Sequence, residues 1–391
     1  MMTRIYDFDH TPERRGTGSL KWERYDGDVL PLWVADMDFL APDAVIQTLQ
    51  AQVAHGIFGY PSAFGGPGVQ ADLSQVLVAR MERLYGWHIS VDDLIFIPGV
   101  VTGFNLACHA LTDPQSGVLI QTPVYPPFLS VAQNAHIARQ DNPLLRLPDG
   151  RYEIDFDAFE AAITEQTRLF ILCNPHNPVG RVFRQDELER MAEICLRHGV
   201  LICSDEIHCD LLYRGQQHIP IASLSPEIAQ NTITLMAPSK TFNIAGLQCS
   251  FAIVQNAELR NKLIHAGEGL VGWVNAMGLA AGLAAYQDGQ EWLDQLLPYL
   301  EANRDFLYDY VRAELPGIQM AKPEGTYLAW LDCRELGLAP DPYEFFIKNA
   351  RVALNKGATF GHGGEDFVRL NFGCSRATLT EALQRMKHAL K

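Results

Sequence analysis

Apolar runs alternating with helical patterns predict an α/β chain, with a large domain built on a mostly parallel sheet and a smaller α+β domain following it. Three observations carry this. From about residue 93, the stretches DLIFIPG, GVLIQTP, RLFILCNP, GVLICSDE, NTITLMAPS and SFAIV are continuous apolar runs without in/out alternation, which suits strands covered on both faces. Segments with apolar residues at helical spacing separate them, the pattern of repeated βαβ units. At 391 residues the chain also exceeds what one hydrophobic core usually holds, so two domains are expected.

Taken in order, residues 1–45 are expected to pack with the small domain, residues 46–288 to form the large domain and residues 289–391 the small one. DELERMAEICLRHG illustrates the intervening helices, with Asp186 as candidate N-cap and Gly199 as the stop. VTGFNLACHAL is a second helix, following the turn at Gly99. Beyond about residue 290 the pattern changes to a long helix (EWLDQLLPYLEANRDFLYDYVRAEL), a strand in GTYLAWLD, a helix near 342–350 and a strand in FVRLNF. GHGGED reads as a flexible turn, because it leads into no helix. There are no repeats or low-complexity tracts.

Composition narrows the partners. With 31 basic against 46 acidic residues the formal charge is −15, and no basic tract appears, so nucleic acid and anionic membranes are poor candidates. No apolar run reaches the roughly 18–20 residues that cross a bilayer. MMTRIYDFDHTPERRGTGSLKW lacks the apolar core of a secretory signal. The eight Cys fall in no CxxC or Cys/His metal spacing, which suggests reduced thiols in a cytoplasmic protein without a metal site. Cys173, Cys203 and Cys249 lie in strand-like runs and are expected to be buried.

The polar residues of interest follow the strands: Gly99-Val100-Val101, Tyr125, Asn174 to Gly180, Asp205 to His208, and Ser239-Lys240. In an open α/β sheet, ligands bind beyond the carboxyl ends of the strands, so these five segments are expected to line one cleft. NPHNPVG sets an Asn between two prolines before a glycine, and the fixed proline dihedrals suit a rigidly held amide. An Asp at a strand end, such as Asp205, reads on its own as the cap of a turn. Lys240 differs from an ordinary surface lysine in following LMAPS and preceding TFNIAG, where desolvation would lower its pKa. The turn before VTGFNLACHAL offers N–H groups and a helix dipole to an anion, with Ser239 as a further donor. Arg369, flanked by apolar residues in FVRLNFGCS, suits bidentate carboxylate recognition.

NPHNPVG resembles the NPxNPxG signature of fold-type I pyridoxal 5′-phosphate (PLP) enzymes, the class I/II aminotransferases and related lyases. SDEIH and APSKTFNIAG extend the likeness along the chain. The resemblance implies the aspartate-aminotransferase-like fold and PLP held as a Schiff base on Lys240. It implies that Asp205 pairs with the pyridine nitrogen, and that Asn177 and His208 lie by the ring oxygen, His208 standing where the family usually has Tyr. It places Tyr125 on the ring face, the phosphate on Val100, Val101 and Ser239, and the substrate α-carboxylate on Arg369, with Asn177 and Tyr125 beside it. Tyr60, in FGYP, is expected to reach the cofactor phosphate of a neighbouring subunit, making a homodimer with composite sites.

PLWVADMDF and FGYP are similar to the N-terminal segments of MalY/PatB-type cystathionine β-lyases. The Arg that many aminotransferases place eight residues after the lysine is Gln248, and Ala237 stands where Ser is usual three residues before it. The resemblance therefore implies a carbon–sulfur β-lyase that cleaves L-cystathionine or cysteine S-conjugates to a thiol, pyruvate and ammonia. An L-amino-acid aminotransferase is the alternative, since it shares every cofactor residue. A PLP-sensing transcription regulator would need a DNA-binding domain, and the acidic chain has no helix-turn-helix pattern.

Overall fold

The computed structural model describes residues 4–61 and 67–391. Seven strands form the central sheet: β1 (Leu94–Ile97), β2 (Gly117–Thr122), β3 (Ala138–Pro143), β4 (Thr167–Cys173), β5 (Leu201–Asp205), β6 (Thr232–Met236) and β7 (Ser250–Ile253). Their spatial order is β1-β7-β6-β5-β4-β2-β3. The run from β6 to β3 is parallel throughout, while β7 lies antiparallel to both β1 and β6. Every residue of β2 and β6 is buried, as expected of strands covered on both faces. The edge strand β3 escapes the sequence reading because ARQDNP is polar and largely exposed, the usual character of a sheet edge.

The helices obey their apolar spacing. In Gln185–Arg197, Leu188, Met191, Ala192 and Cys195 are buried on one face, each contributing roughly 1.5–3 kcal/mol for the larger side chains. This helix starts two residues ahead of expectation. Arg184, not Asp186, is the capping residue, and the Glu187 carboxylate accepts the Arg184 N–H at 2.9 Å, leaving Asp186 in the first turn, where the helix dipole favours it. Gly199, at φ +66°, lies just past the helix end. Helices Val69–Tyr85, Val100–Leu111 and Ala276–Asp288 pack around the sheet, and Gln290–Glu314 forms the predicted long helix.

The smaller sheet comprises β8 (Leu328–Asp332), β9 (Asn355–Lys356) and β10 (Phe367–Asn371), antiparallel in the order β8-β10-β9. Arg369 is thus on its middle strand. The helix expected near 342–350 is present, beginning as an α-helix, Pro342–Phe345, and continuing as a π-helix, Phe346–Ala350. Leu30–Pro31 pairs in parallel with Val352–Ala353, tying the N-terminal segment to this part of the chain.

Residues 33–39 form a strap between the two sheets. The Asn371 amide donates to the carbonyls of Val34 and Asp36, both at 2.7 Å, and the Asn243 amide donates to Met37 and Phe39 at 2.9 and 2.8 Å. Buried Asp38 accepts from Lys21, Arg14 and Trp22. All eight Cys are free and buried. Among the described residues, no helix is long and apolar enough to cross a membrane.

Candidate active site

Beyond the carboxyl ends of the parallel strands, a cavity of about 460 Å³ is lined by Val100, Val101, Tyr125, Asn177, Asp205, His208, Ser239, Lys240 and Arg369. The five segments singled out in the sequence therefore do converge. Trp33, Ala35, Gln248, Asn355 and Phe360 complete much of the wall.

Lys240 stands on a single helical turn, Pro238–Thr241, directly after β6. Its Nζ donates to the Ala35 carbonyl at 2.5 Å, and the same oxygen accepts the Tyr327 hydroxyl at 2.9 Å. Desolvation lowers the Lys240 pKa to about 8; Arg369 adds to this while Asp36 and Asp205 oppose it. An amine so placed gives up its proton near neutrality, as a nucleophile or base requires.

Asp205 ends β5, with Oδ1 accepting from Ile207 N at 3.1 Å. Burial raises its pKa to about 7, Glu206 adds to the rise, and the Ile207 bond and Lys240 oppose it. A carboxylate held this way awaits a positive partner. His208 is driven well below its usual pKa by burial and then by Lys240 and Arg369, so its imidazole is neutral. Its ring meets Tyr327 edge-on at 6.1 Å, and its Nδ1 has no hydrogen-bond partner among the described residues.

The Arg369 guanidinium is buried in the cavity wall. Nη1 donates to Asn177 Oδ1 at 2.9 Å, and Nη2 to the Trp33 carbonyl at 3.0 Å and to Asn355 Oδ1 at 2.5 Å. The guanidinium carbon lies 5.0 Å from the centre of the Phe360 ring. Burial lowers its pKa to about 10, so it stays charged at neutral pH; Nε lacks a partner among the described residues. Its neutral surroundings leave the charge for an anion to neutralise. Tyr125 N donates to the Asn177 carbonyl at 3.0 Å, joining two of the predicted segments, and burial raises the phenol pKa.

At the far end, Val100 and Val101 open the helix Val100–Leu111 after Gly99, whose φ of +104° only glycine adopts readily. The first-turn N–H groups, which have no carbonyl partner within the helix, and the helix dipole suit an anion at this end. Lys240 and Arg369 are the cationic side chains in the lining; Gln248 contributes a neutral amide.

One predicted site residue is elsewhere. Tyr60 is 91% exposed and lines a separate groove of about 960 Å³ with Phe58, Trp273 and neighbouring residues, its ring 5.7 Å from Trp273 in an edge contact. Sequence reasoning in turn missed Asn355, Phe360 and Tyr327. Asn355 and Phe360 belong to short elements with no periodic signal, and Tyr327 reads simply as a strand aromatic.

Residues 27–386 match the family model described as aminotransferase class I and II. The chain belongs to that family. Among aminotransferase-family relatives it is 42% identical to cystathionine beta-lyase PatB of Bacillus subtilis, over 98% of this chain and 100% of the relative. The crystal structure of OvoB superposes with a TM-score of 0.93 at 45% identity, covering 99% of each chain. Cystalysin from Treponema denticola, whose crystal structure contains pyridoxal 5′-phosphate, also has a TM-score of 0.93, at 34% identity over 99% of each chain. The mostly parallel sheet and the helices around it are therefore the fold-type I architecture.

Proposed function

We propose that the chain is a PLP-dependent carbon–sulfur β-lyase that releases a thiol, pyruvate and ammonia from L-cystathionine or a cysteine S-conjugate. The observation that carries the reading is a partly buried lysine of lowered pKa, Lys240, sharing one cavity with buried Asp205 and Arg369. The donor set fits PLP: the orphaned Nδ1 of His208, the raised carboxyl of Asp205 and the anion seat after Gly99 match a ring hydroxyl, a pyridine nitrogen and a phosphate. Lys240 would hold the aldehyde carbon, Asp205 the ring nitrogen, Asn177 and His208 the ring oxygen, Tyr125 the ring face, and Val100, Val101 and Ser239 the phosphate.

When bound, PLP supplies an electron-poor ring that accepts the charge left at the substrate Cα. Arg369 grips the α-carboxylate, with Asn177 and Tyr125 beside it, and so fixes the Cα–H bond relative to Lys240. Freed when the substrate amine takes its place on the aldehyde carbon, Lys240 Nζ would take the Cα proton, and the Ala35 carbonyl, already its partner, would hold the resulting ammonium. The β-sulfur departs with its bonding pair as a thiolate. Hydrolysis of the remaining enamine gives pyruvate and ammonia.

Elimination is favoured over transamination by the full-length likeness to proteins named as cystathionine or carbon–sulfur lyases, against 25% identity to aspartate aminotransferases. Gln248 and Ala237, where many aminotransferases carry Arg and Ser, point the same way. The reading includes a cytoplasmic homodimer, with a large domain of residues 46–288, a small one of 289–391 and the first 45 residues packed with the latter. Exposed Ile57, Phe58, Tyr60, Leu270 and Trp273 support an apolar interface beside Tyr60.

Incubation with L-cystathionine alone tests the chemistry. Stoichiometric pyruvate, ammonia and homocysteine are expected without any oxo-acid. Product formed only with 2-oxoglutarate or pyruvate present, and no thiol, would replace the lyase by the aminotransferase.

A further inference from the structure

The loop 205–210 presents Asp205 and His208 to the cavity and turns its other two ionisable acids away from it. Glu206 is fully buried, accepting Ser204 Oγ at 2.8 Å and Ile221 N at 3.2 Å, with His218 Nε2 at 2.7 Å. Asp210 faces a different element. Its Oδ1 accepts Arg80 Nη2 at 2.5 Å, and its Oδ2 accepts the Thr241 hydroxyl at 3.0 Å. Both side chains of the ion pair are only 5% exposed, and Thr241 is fully buried. The Arg80 guanidinium is further fixed over the Tyr286 ring, 5.0 Å from its centre.

Thr241 follows Lys240 directly, so one carboxylate links helix Val69–Tyr85, the loop bearing Asp205 and His208, and the turn bearing Lys240. That turn has little regular structure of its own. It spans four residues, begins with Pro238, which lacks an N–H, and gives way to Asn243 at φ +56°. A lateral anchor is what such a turn needs to hold its lysine in one place. A buried ion pair adds little to stability over apolar packing, whereas its directional bonds fix a register, and the register fixed here is that of Lys240 against Asp205.

We infer that Asp210, oriented by Arg80, is a positioning residue that sets the place of Lys240 in the cavity by pinning the Thr241 hydroxyl. The charges acting on Lys240 are those of Arg369, Asp36 and Asp205; Asp210 is not among them. Asp210 is paired with Arg80, and its contact toward the lysine is the hydroxyl of the adjacent Thr241. Displacing a reacting group by about 1 Å can cost around a hundredfold in rate, so loss of one directional anchor has a measurable effect.

This inference rests on the assignment of Lys240 as the PLP lysine. The test compares wild type with Thr241→Val, which removes only the hydroxyl, and Thr241→Ser, which restores it. Besides kcat, KM and Tm, three quantities are read: borohydride capture of PLP on the Lys240 peptide, the pH midpoint of the bound cofactor's absorbance, and the rate of reductive methylation of Lys240 by formaldehyde and cyanoborohydride in cofactor-free protein. Thr241→Val is expected to slow methylation and lower kcat by about tenfold, with KM little changed and the midpoint displaced, in addition to the fall in Tm that follows from leaving the Asp210 carboxylate without this donor, and Thr241→Ser to recover most of the loss. Wild-type behaviour of Thr241→Val within about twofold in methylation rate, with an unmoved midpoint, overturns the inference, as does a loss confined to Tm. If Thr241→Val does not fold, Asp210→Asn is read by the same criteria. Wild-type protein that is not captured at Lys240 would instead overturn the PLP assignment, and methylation of the cofactor-free protein would still decide the role of Asp210.

Discussion

Asn177 and Arg369 meet across the cavity, Oδ1 to Nη1 at 2.9 Å, so the rigid NPHNPVG loop orients an arginine 192 residues away in sequence. The contact places the guanidinium between a fixed amide and the Asn355 side chain, pre-organised for a carboxylate. Arg369→Ala is expected to lower kcat/KM for every amino-acid substrate by about 1.5–3 kcal/mol, roughly ten- to a hundredfold. Asn177→Ala should lower it in the same direction but less, because Asn355 and Trp33 O still hold the guanidinium. Steady-state kinetics on both variants decide this; an unimpaired Arg369→Ala would remove the arginine from substrate binding.

Lys240→Ala is expected to bind PLP without a covalent bond and to lose turnover altogether. Borohydride reduction of wild type followed by peptide mapping should leave the label on Lys240, whose pKa near 8 makes it the readily deprotonated lysine of the cavity. Label on another lysine would end the assignment.

How far the site was legible follows from where its residues lie. Asp205 ends a mostly apolar buried strand and Lys240 closely follows another, and Asn177 sits in a motif whose prolines announce a rigid loop, so chain order alone put them at one end of the sheet. Arg369 was found because a charge inside FVRLNF has few other uses. Ala35 contributes only a backbone carbonyl, and nothing in residue type encodes that. Asn355 lies in a two-residue strand, too short for any period. Asp186 was misread as a cap because Arg184, an unusual capping residue, precedes it and Glu187 supplies the carboxylate. Strand β3 was missed because its edge position removes the apolar signal on which strand recognition depends.

Asp205 also makes a pH prediction for the cofactor-free protein. Its folded pKa, about 7, lies above its ordinary value of 3.8, so between those values the folded state holds a proton that the unfolded chain has released. The contribution of Asp205 to stability is thus full below about pH 4 and declines as pH rises to about 7. Asp205→Asn lacks this decline. The Tm of Asp205→Asn relative to wild type should therefore increase between pH 4.5 and pH 8, roughly the window set by this linkage. Lys240 runs the other way at higher pH: its lowered pKa makes stability recover from about pH 8 toward its ordinary value of 10.5, so scans belong at or below pH 8. A pH-independent Tm difference would show that Asp205 titrates near its usual value.

Tyr60 supplies the last prediction, because its exposed ring and its separation from the cavity of its own chain suit a residue given to a neighbouring subunit. If each site combines Lys240 of one protomer with Tyr60 of the other, a hybrid of Tyr60→Phe and Lys240→Ala protomers has one doubly altered site and one with both native residues. Each parent should be impaired, Lys240→Ala completely and Tyr60→Phe through weaker hold on the cofactor phosphate. Random exchange of equal amounts makes about half of the dimers hybrid, so about a quarter of all sites regain both residues. Mixing under exchange conditions should then raise activity above the mean of the parents, while mixing without exchange should not. Activity that stays at that mean after exchange, with hybrids verified by mass, would place Tyr60 and Lys240 in the same protomer's site or remove Tyr60 from the site. A fully active monomer in sedimentation would dispose of the shared site altogether.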